Sequence, residues 1–459
     1  MKTILIPITT NFFSRTFLQT DALSELLKDP EIRIVCLSPK NRRYYYEKTF
    51  GHDRLLFDEL PDTSAKTIES VFRFLEVWSI KSKTQKLIID AEFHRKGSKA
   101  SFFLRLITFM LKKSLWFLGA FRWWRQGIRF CYSVFSSTDY HALFGVYHPE
   151  LVFAPTMLPA DAHILREAKK FGIKTAGVVL SWDNLYSKTF FRVHPDRVMV
   201  ASKTLEDLAV EKADYPRNKL EVIGIPQYDR YANKKPSLSR DEFIRKLGGD
   251  PSKKLILYAL SGKKGISIEH GIIELLYRIV KENMLKEPVE VLIRPYPRYD
   301  FSEEKLSKWR HEYGFRAESS LAHIDGKADE WEFDDVSLDF LQNSLAHADV
   351  IITMYSTFFI EGAIHDKPLV AIGFDGLEDE NYWNSSRRFF EWDHLKSLLP
   401  CDGITFARSF QGLAESINSS LMDPKLKREG RKCIVNQQAT FNDGKSGIRL
   451  GKSLYTLMK

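Results

Sequence analysis

Ile351-Ile352-Thr353-Met354-Tyr355-Ser356-Thr357-Phe358-Phe359-Ile360-Glu361-Gly362-Ala363-Ile364-His365-Asp366-Lys367-Pro368 is the stretch that decides how the chain is read. Val350-Ile351-Ile352-Thr353 is a short β-branched run of the kind buried on both faces of a parallel sheet. Small hydroxyl residues end it and open a helix over Phe358 to Ile364. Leu369-Val370-Ala371-Ile372, behind Lys367-Pro368, is the next strand. A strand ending at Ser356 and Thr357 aims first-turn N–H groups and two hydroxyls at one point, which suits a diphosphate. Glu361 stands one turn deeper on the same face, where a carboxylate accepts hydrogen bonds from ribose or sugar hydroxyls. The plainer alternative is a Ser356 cap and a solvated Glu361.

Outward from this unit the alternation of strand and helix fills the chain. Thr3 to Ile8, Ile32 to Leu37, Leu151 to Ala154, Lys174 to Leu180, Arg197 to Ala201 and Glu221 to Gly224 read as strands of a first half. Asn233-Lys234-Lys235-Pro236-Ser237 reads as a linker. Strands at Lys254 to Ala259 and Val289 to Ile293 begin the second half. The pattern predicts an α/β chain of two Rossmann-like domains, 1–232 and 238–420, facing across a cleft. A helical segment, 421–459, is expected to return to the first domain. Ligands in such sheets sit beyond the carboxyl ends of the strands.

Other candidate groups follow strand ends. Ser261-Gly262-Lys263-Lys264-Gly265 offers glycines for close backbone approach and lysines for phosphate charge. Arg294, before Pro295-Tyr296-Pro297, is a second phosphate ligand. In the first half, Ser181-Trp182-Asp183-Asn184 follows a strand. Trp182 suits stacking on a sugar, Asn184 an acceptor contact, and Asp183 orients an acceptor hydroxyl or takes its proton. An Asx-type turn around a packed tryptophan is the alternative. Asn11 and Arg15 follow the first strand as further acceptor contacts, against a plainly solvated arginine.

The order of strand, Ser356-Thr357, helix, Glu361, Lys367-Pro368 and strand resembles the donor-binding signature of GT-B glycosyltransferases and their relatives. Those relatives include the CDP-glycerol glycerophosphotransferases and the UDP-N-acetylglucosamine 2-epimerases. Ser181-Trp182-Asp183-Asn184 resembles an element of bacterial surface-carbohydrate transferases, and Gly224-Ile225-Pro226-Gln227-Tyr228-Asp229 resembles their boundary element before the linker. Tyr296 stands where related enzymes often carry a histidine. The resemblance implies a metal-independent transferase that needs no cofactor. Its donor would be a nucleotide-activated sugar, held by Ser261, Gly262, Lys263, Arg294, Tyr296, Ser356, Thr357 and Glu361. Its acceptor would be a glycan or lipid-linked chain in cell-surface polysaccharide synthesis. A glycerophosphotransferase using CDP-glycerol is the alternative on the same scaffold, and a non-catalytic, membrane-associated module of a polysaccharide assembly complex is the alternative of another class.

Charge adds a location. The 459 residues carry a net +9, yet Lys81 to Arg129 holds 12 basic residues against two acids, leaving the remainder near neutral. Aromatic residues interleave with these cations. Lys112, Lys113, Trp116, Arg122, Trp123, Trp124 and Arg125 are expected to meet an anionic membrane surface, with packing under the first domain as the alternative. Nucleic acid is disfavoured, because its binders spread cations over a whole face. No stretch reaches the roughly 20 apolar residues of a membrane span, and Met1 to Ile8 reads as a strand, not a signal peptide. The four cysteines lie far apart without a CxxC pair, so a disulfide framework or zinc site is not expected and a reducing compartment fits. The location implied is cytoplasmic, peripheral on the inner face of the membrane.

Overall fold

The computed structural model describes residues 1–10, 13–62, 67–94, 101–261, 266–296, 303–317, 322–323, 331–377 and 380–459. They form two compact units, one of residues 1–232 with 437–459 and one of residues 233–436. Residues 437–459 belong to the first of these units and residues 421–436 to the second.

The first unit is built on seven strands, β1 Lys2–Pro7, β2 Ile32–Ser38, β3 Leu55–Glu59, β4 Pro149–Ala154, β5 Lys174–Val179, β6 Arg197–Val200 and β7 Leu220–Val222. All pair parallel, in the order β3-β2-β1-β4-β5-β6-β7. Consecutive residues such as Ile4, Leu5 and Ile6 are all buried, because helices cover both faces. The last helix, Ser446–Met458, closes one face by adding Leu450 and Leu454 to the core of Ile4, Ile34 and Phe153. Its start is fixed by Asp229, whose Oδ2 accepts from the Gly447 amide at 2.7 Å. Gly224 has φ +87, and a Cβ there would lie 2.3 Å from Ser446 Oγ. The Gly224–Asp229 element is thus an anchor for the returning chain.

The second unit repeats the plan. Its strands are β8 Lys254–Ala259, β9 Val289–Arg294, β10 Arg316–Ala317, the antiparallel pair β11 Ala322–His323 and β12 Trp331–Glu332, then β13 Val350–Thr353, β14 Leu369–Ile372 and β15 Thr405–Ala407. The main sheet runs β10-β9-β8-β13-β14-β15, all parallel. Each sheet therefore reverses its strand order at one point, between β1 and β4 in the first unit and between β8 and β13 in the second. Crossovers leave those two strands toward opposite sides, so their carboxyl ends stand uncovered.

One expectation about the cysteines is corrected. Cys401 and Cys433 are joined by a disulfide. The turn Leu399–Cys401 and the helix Arg428–Ala439 meet backbone to backbone, since Gly403 and Gly430 have no side chains to hold them apart. The Cα atoms of the two cysteines come to 5.4 Å, a distance a disulfide spans. The same helix is held by Arg431, buried, with Nη2 2.8 Å from Asp366 Oδ1. Cys36 is buried and Cys131 exposed. Thiol titration should find one reactive group in the native protein, two after unfolding without reductant and four after reduction. Four thiols before reduction would refute the bridge.

The basic insertion is folded inside out. The helix Thr67–Trp78 leads into it, and its own helices include Lys83–His94, Phe102–Leu118 and Arg122–Val134. Most of the cations expected to face lipid point into the protein. Lys112 Nζ lies 2.5 Å from Glu92 and over the Trp78 ring, and Lys113 Nζ lies 2.5 Å from Asp90. Arg125 and Arg129 converge on Asp214, at 2.6 and 3.0 Å, and Arg129 also donates to the carbonyls of Phe190, Phe191 and Ala213. Trp116 Nε1 donates to Ser82 O and Trp124 Nε1 to Ser79 Oγ, both at 2.9 Å. Arg122 and Trp123 are exposed.

Burial opposes the charge of Asp214, but hydrogen bonds from Arg125 and Arg129 outweigh it and hold the carboxyl below its usual range. A depressed carboxyl stabilises the fold at neutral pH, and that increment is lost only as pH falls below about 4. Asp214 has φ +52, which asparagine tolerates. Asp214→Asn should therefore cost about 3–5 kcal/mol, because two buried guanidinium groups lose their counter-charge. Denaturant unfolding at pH 7 measures it, and a midpoint equal to the parent's would refute this role.

Candidate functional site

The candidate site of the second unit is built at its switch point. β8 runs out through Leu260 to Ser261, and β13 through Met354 to Tyr355. Ser261 Oγ accepts from the Met354 and Tyr355 amides at 3.3 and 3.2 Å, and lies 3.4 Å from Thr353 Oγ1. The Thr353 hydroxyl in turn donates to Ala259 O at 2.8 Å. The Ser261 amide donates to Glu269 Oε1 at 2.5 Å, from the helix Ile266–Lys281. Ser261, expected as a donor ligand, therefore also ties the ends of the two central strands together. Gly262 and Lys263 lie outside the described residues.

Arg294 ends β9 beside Ala259. Its side chain is buried and places its guanidinium carbon 5.1 Å from the centroid of the Phe358 ring, at the start of the helix Phe358–Ile364. Arg294, Ser261 and the Ser356-Thr357 turn thus stand at the carboxyl ends of three adjacent strands, β9, β8 and β13. Ser356 Oγ accepts from the Phe358 amide at 3.3 Å, while Thr357 is exposed and makes no side-chain cap. Glu361 is 2% exposed, so the plain solvated-residue alternative does not hold. Tyr296 is half-buried two residues past Arg294.

Tyr355, immediately before Ser356, packs its ring 3.9 Å from Phe389, which touches Trp392 at 4.7 Å. His394 is buried against Trp392. This aromatic wall is set by Asp375, a buried carboxylate after β14. Its Oδ1 accepts from Ser385 Oγ at 2.9 Å and the Ser386 amide at 2.7 Å. Sequence reading missed Asp375 and Glu269, because isolated acids in helix or loop patterns carry no spacing signal. Asp334 caps the helix Asp335–His347, its Oδ1 accepting from the Ser337 amide at 2.8 Å.

In the first unit, Ser181-Trp182-Asp183-Asn184 forms a compact turn after β5. Asp183 Oδ1 accepts from Ser181 Oγ at 2.6 Å, and Lys188 Nζ lies 2.8 Å from Oδ2. Trp182 and Asn184 are buried. Arg15 is also buried and donates to Tyr231 Oη at 3.2 Å, so it is not the solvated arginine of the plainer reading. Asn11 lies outside the described residues. The β1/β4 switch point is bridged by Asp161, which accepts from Thr9 Oγ1 at 2.7 Å and Thr156 Oγ1 at 2.6 Å. Burial pushes this carboxyl above its ordinary range, against the pull of those hydroxyls.

The tie at Ser261 is open to test. Ser261→Ala leaves the two strand-end amides without their acceptor and should cost about 1–3 kcal/mol of unfolding free energy. An unchanged unfolding midpoint would show that the tie carries no weight.

Comparison with known proteins now bears on this geometry. The model of the CDP-glycerol:poly(glycerophosphate) glycerophosphotransferase family matches residues 168–456. No curated protein matches the chain by sequence. Among solved structures, the UDP-GlcNAc 2-epimerase of Neisseria meningitidis bound to UDP-GlcNAc aligns at 11% identity and TM-score 0.56, over 99% of this chain and all (100%) of that one. The MnaA–UDP structure of S. aureus aligns at 11% and 0.53, over 98% and 94%. The wall teichoic acid polymerase TagF aligns at 11% and 0.50, over 100% and 88%. These likenesses establish a GT-B-like fold.

The family match corrects the expected sugar transfer, since the activity named for the family moves glycerophosphate from CDP-glycerol. The reason is physical. Residues expected to read a nucleotide and its phosphates say little about the group attached to them.

Proposed function

Because the chain belongs to the CDP-glycerol:poly(glycerophosphate) glycerophosphotransferase family, we propose that it transfers glycerophosphate from CDP-glycerol to a hydroxyl of a glycerophosphate-type acceptor. The observation that carries this reading is the extent of the family match. Residues 168–456 take in the Ser181–Asn184 turn and the whole switch point of the second unit.

In this reading the acceptor oxygen attacks the phosphorus that bears glycerol. The bond from that phosphorus to the oxygen shared with the cytidine-bearing phosphate breaks, and CMP leaves with the electron pair. Transfer of this kind asks the protein for position and charge more than for covalent chemistry. Arg294, with the amide and hydroxyl groups of the Ser356-Thr357 turn, stabilises the charge that grows on the leaving phosphate. Glu361 holds the ribose or glycerol hydroxyls. Asp183 takes the acceptor proton, with Ser181 and Lys188 fixing its carboxylate. The protein works at the inner face of a membrane, where its insertion meets the lipid. Among the described residues no helix is long and apolar enough to cross one.

A thermal-shift panel tests the donor. CDP-glycerol should raise the melting temperature, and UDP-, GDP- and dTDP-sugars should not. Arg294→Ala should weaken CDP-glycerol binding about tenfold or more, as expected for a lost charge-assisted phosphate contact. Glu361→Gln should weaken it with little loss of stability. Stabilisation by a UDP-sugar alone, or unchanged CDP-glycerol affinity in both variants, would overturn the assignment.

A further inference from the structure

A buried carboxylate is costly unless hydrogen bonds and a counter-charge offset its lost hydration. Asp375, 5% exposed, stands three residues past β14, the strand beside β13 on the side away from β8. Its Oδ1 accepts from the Ser385 hydroxyl at 2.9 Å, the Ser386 amide at 2.7 Å and the Ser386 hydroxyl at 2.9 Å, and its Oδ2 accepts from Arg387 Nη2 at 3.2 Å. All these donors stand at the start of the 3-10 helix Ser386–Glu391. Residues three apart on such a helix lie along one edge, so the grip on Ser386 also aims Phe389. Asp375 is itself held from behind. Gly376, at φ +85, approaches the helix Ile266–Lys281 so closely that a Cβ on it would lie 3.2 Å from Ile268 O. That helix carries Glu269, which takes the Ser261 amide. At its far end the connection from β14 to β15 is tied by the Cys401–Cys433 bridge.

The wall fixed in this way leans on the candidate donor site. Phe389, fully buried, sets its ring 3.9 Å from that of Tyr355, and Trp392 stands 6.1 Å from the same ring. Tyr355 is therefore held twice, by Ser261 through its amide and by the wall through its ring. The next two residues are held less firmly. Thr357 makes no side-chain cap, and the Ser356 hydroxyl accepts from the Phe358 amide at a long 3.3 Å. The direction of this turn thus follows from Tyr355. We propose that Asp375 is a positioning residue for donor binding: it sets the Phe389–Trp392 wall, the wall fixes the Tyr355 ring, and Tyr355 aims the Ser356-Thr357 turn at the diphosphate. Asp375 acts through these rings and not by contact with the donor. The inference rests on the donor site proposed above and names what keeps that site in shape. Charge-assisted hydrogen bonds weaken steeply with distance and angle, so a misdirected turn loses affinity even with every phosphate ligand present.

The test is a double-mutant cycle between Asp375 and Phe389, read as CDP-glycerol affinity by calorimetry on the full chain. Asp375→Asn keeps the size of the side chain and removes its charge, and should weaken binding about tenfold. Phe389→Leu leaves the clamp and removes the ring, and should weaken binding by about the same factor. Because the two act in series, the double variant should bind no more than about twofold more weakly than the weaker single variant. Ser386→Ala takes one hydroxyl from the clamp and should weaken binding about threefold, which serves where Asp375→Asn does not fold. A lowered melting temperature with unchanged affinity in Asp375→Asn or Ser386→Ala would make the clamp a matter of stability alone and overturn the inference. Factors that multiply in the double variant would overturn it as well. If the parent binds a UDP-sugar in place of CDP-glycerol, the donor reading fails, and the same cycle run with that nucleotide judges the inference by the same outcomes.

Discussion

In a parallel sheet whose strand order reverses, the two central strands lose their crossovers to opposite sides, and their carboxyl ends are left as bare backbone. Something must satisfy that backbone without filling the space a ligand needs. In the second unit a single hydroxyl does so. Ser261 Oγ receives the amides of Met354 and Tyr355, while Glu269 receives the amide of Ser261. The small side chain fixes the spacing of β8 and β13 and leaves the Ser356-Thr357 turn uncovered. Arg294 then reaches the start of the next helix from the neighbouring strand. Position, charge and hydrogen-bonding groups at these neighbouring strand ends are consequences of sheet order first and of residue choice second.

The same construction appears in the first unit with a different answer. There the β1/β4 switch point is bridged by the buried Asp161, taking hydroxyls from both strand ends. A carboxylate closed off in this way is an internal brace. The acceptor-side candidates lie farther along the sheet, after β5, where Asp183 remains half-exposed. The units thus share a plan and differ in which switch point stays open.

Much of this was legible in the residues. Short apolar runs rich in β-branched residues, such as Val350 to Thr353 and Ile4 to Ile6, are too short for helices and read as strands covered on both faces, so the α/β class followed from their alternation with helices. The Ser356-Thr357 turn, Arg294 and Glu361 were visible because they stand at fixed offsets from those strands. Three features were not legible. The orientation of the insertion depends on Asp214, some 85 residues from Arg129, and periodicity shows two stripes without saying which faces inward. The Cys401–Cys433 bridge spans 32 residues and depends on two glycines that let backbones meet. The transferred group left no mark at all, because the side chains recognisable in the sequence are those proposed to hold the nucleotide end of the donor.

That last point makes the leaving group the most direct test. Glycerophosphate transfer cleaves the diphosphate and releases CMP, whereas transfer of an attached group from an intact diphosphate releases CDP. The purified protein, given CDP-glycerol, a short glycerophosphate acceptor and phosphatidylcholine vesicles, can be followed by phosphorus NMR and nucleotide chromatography. The account predicts CMP appearing in step with a longer polymer. CDP as the product, or an untouched donor, would contradict it.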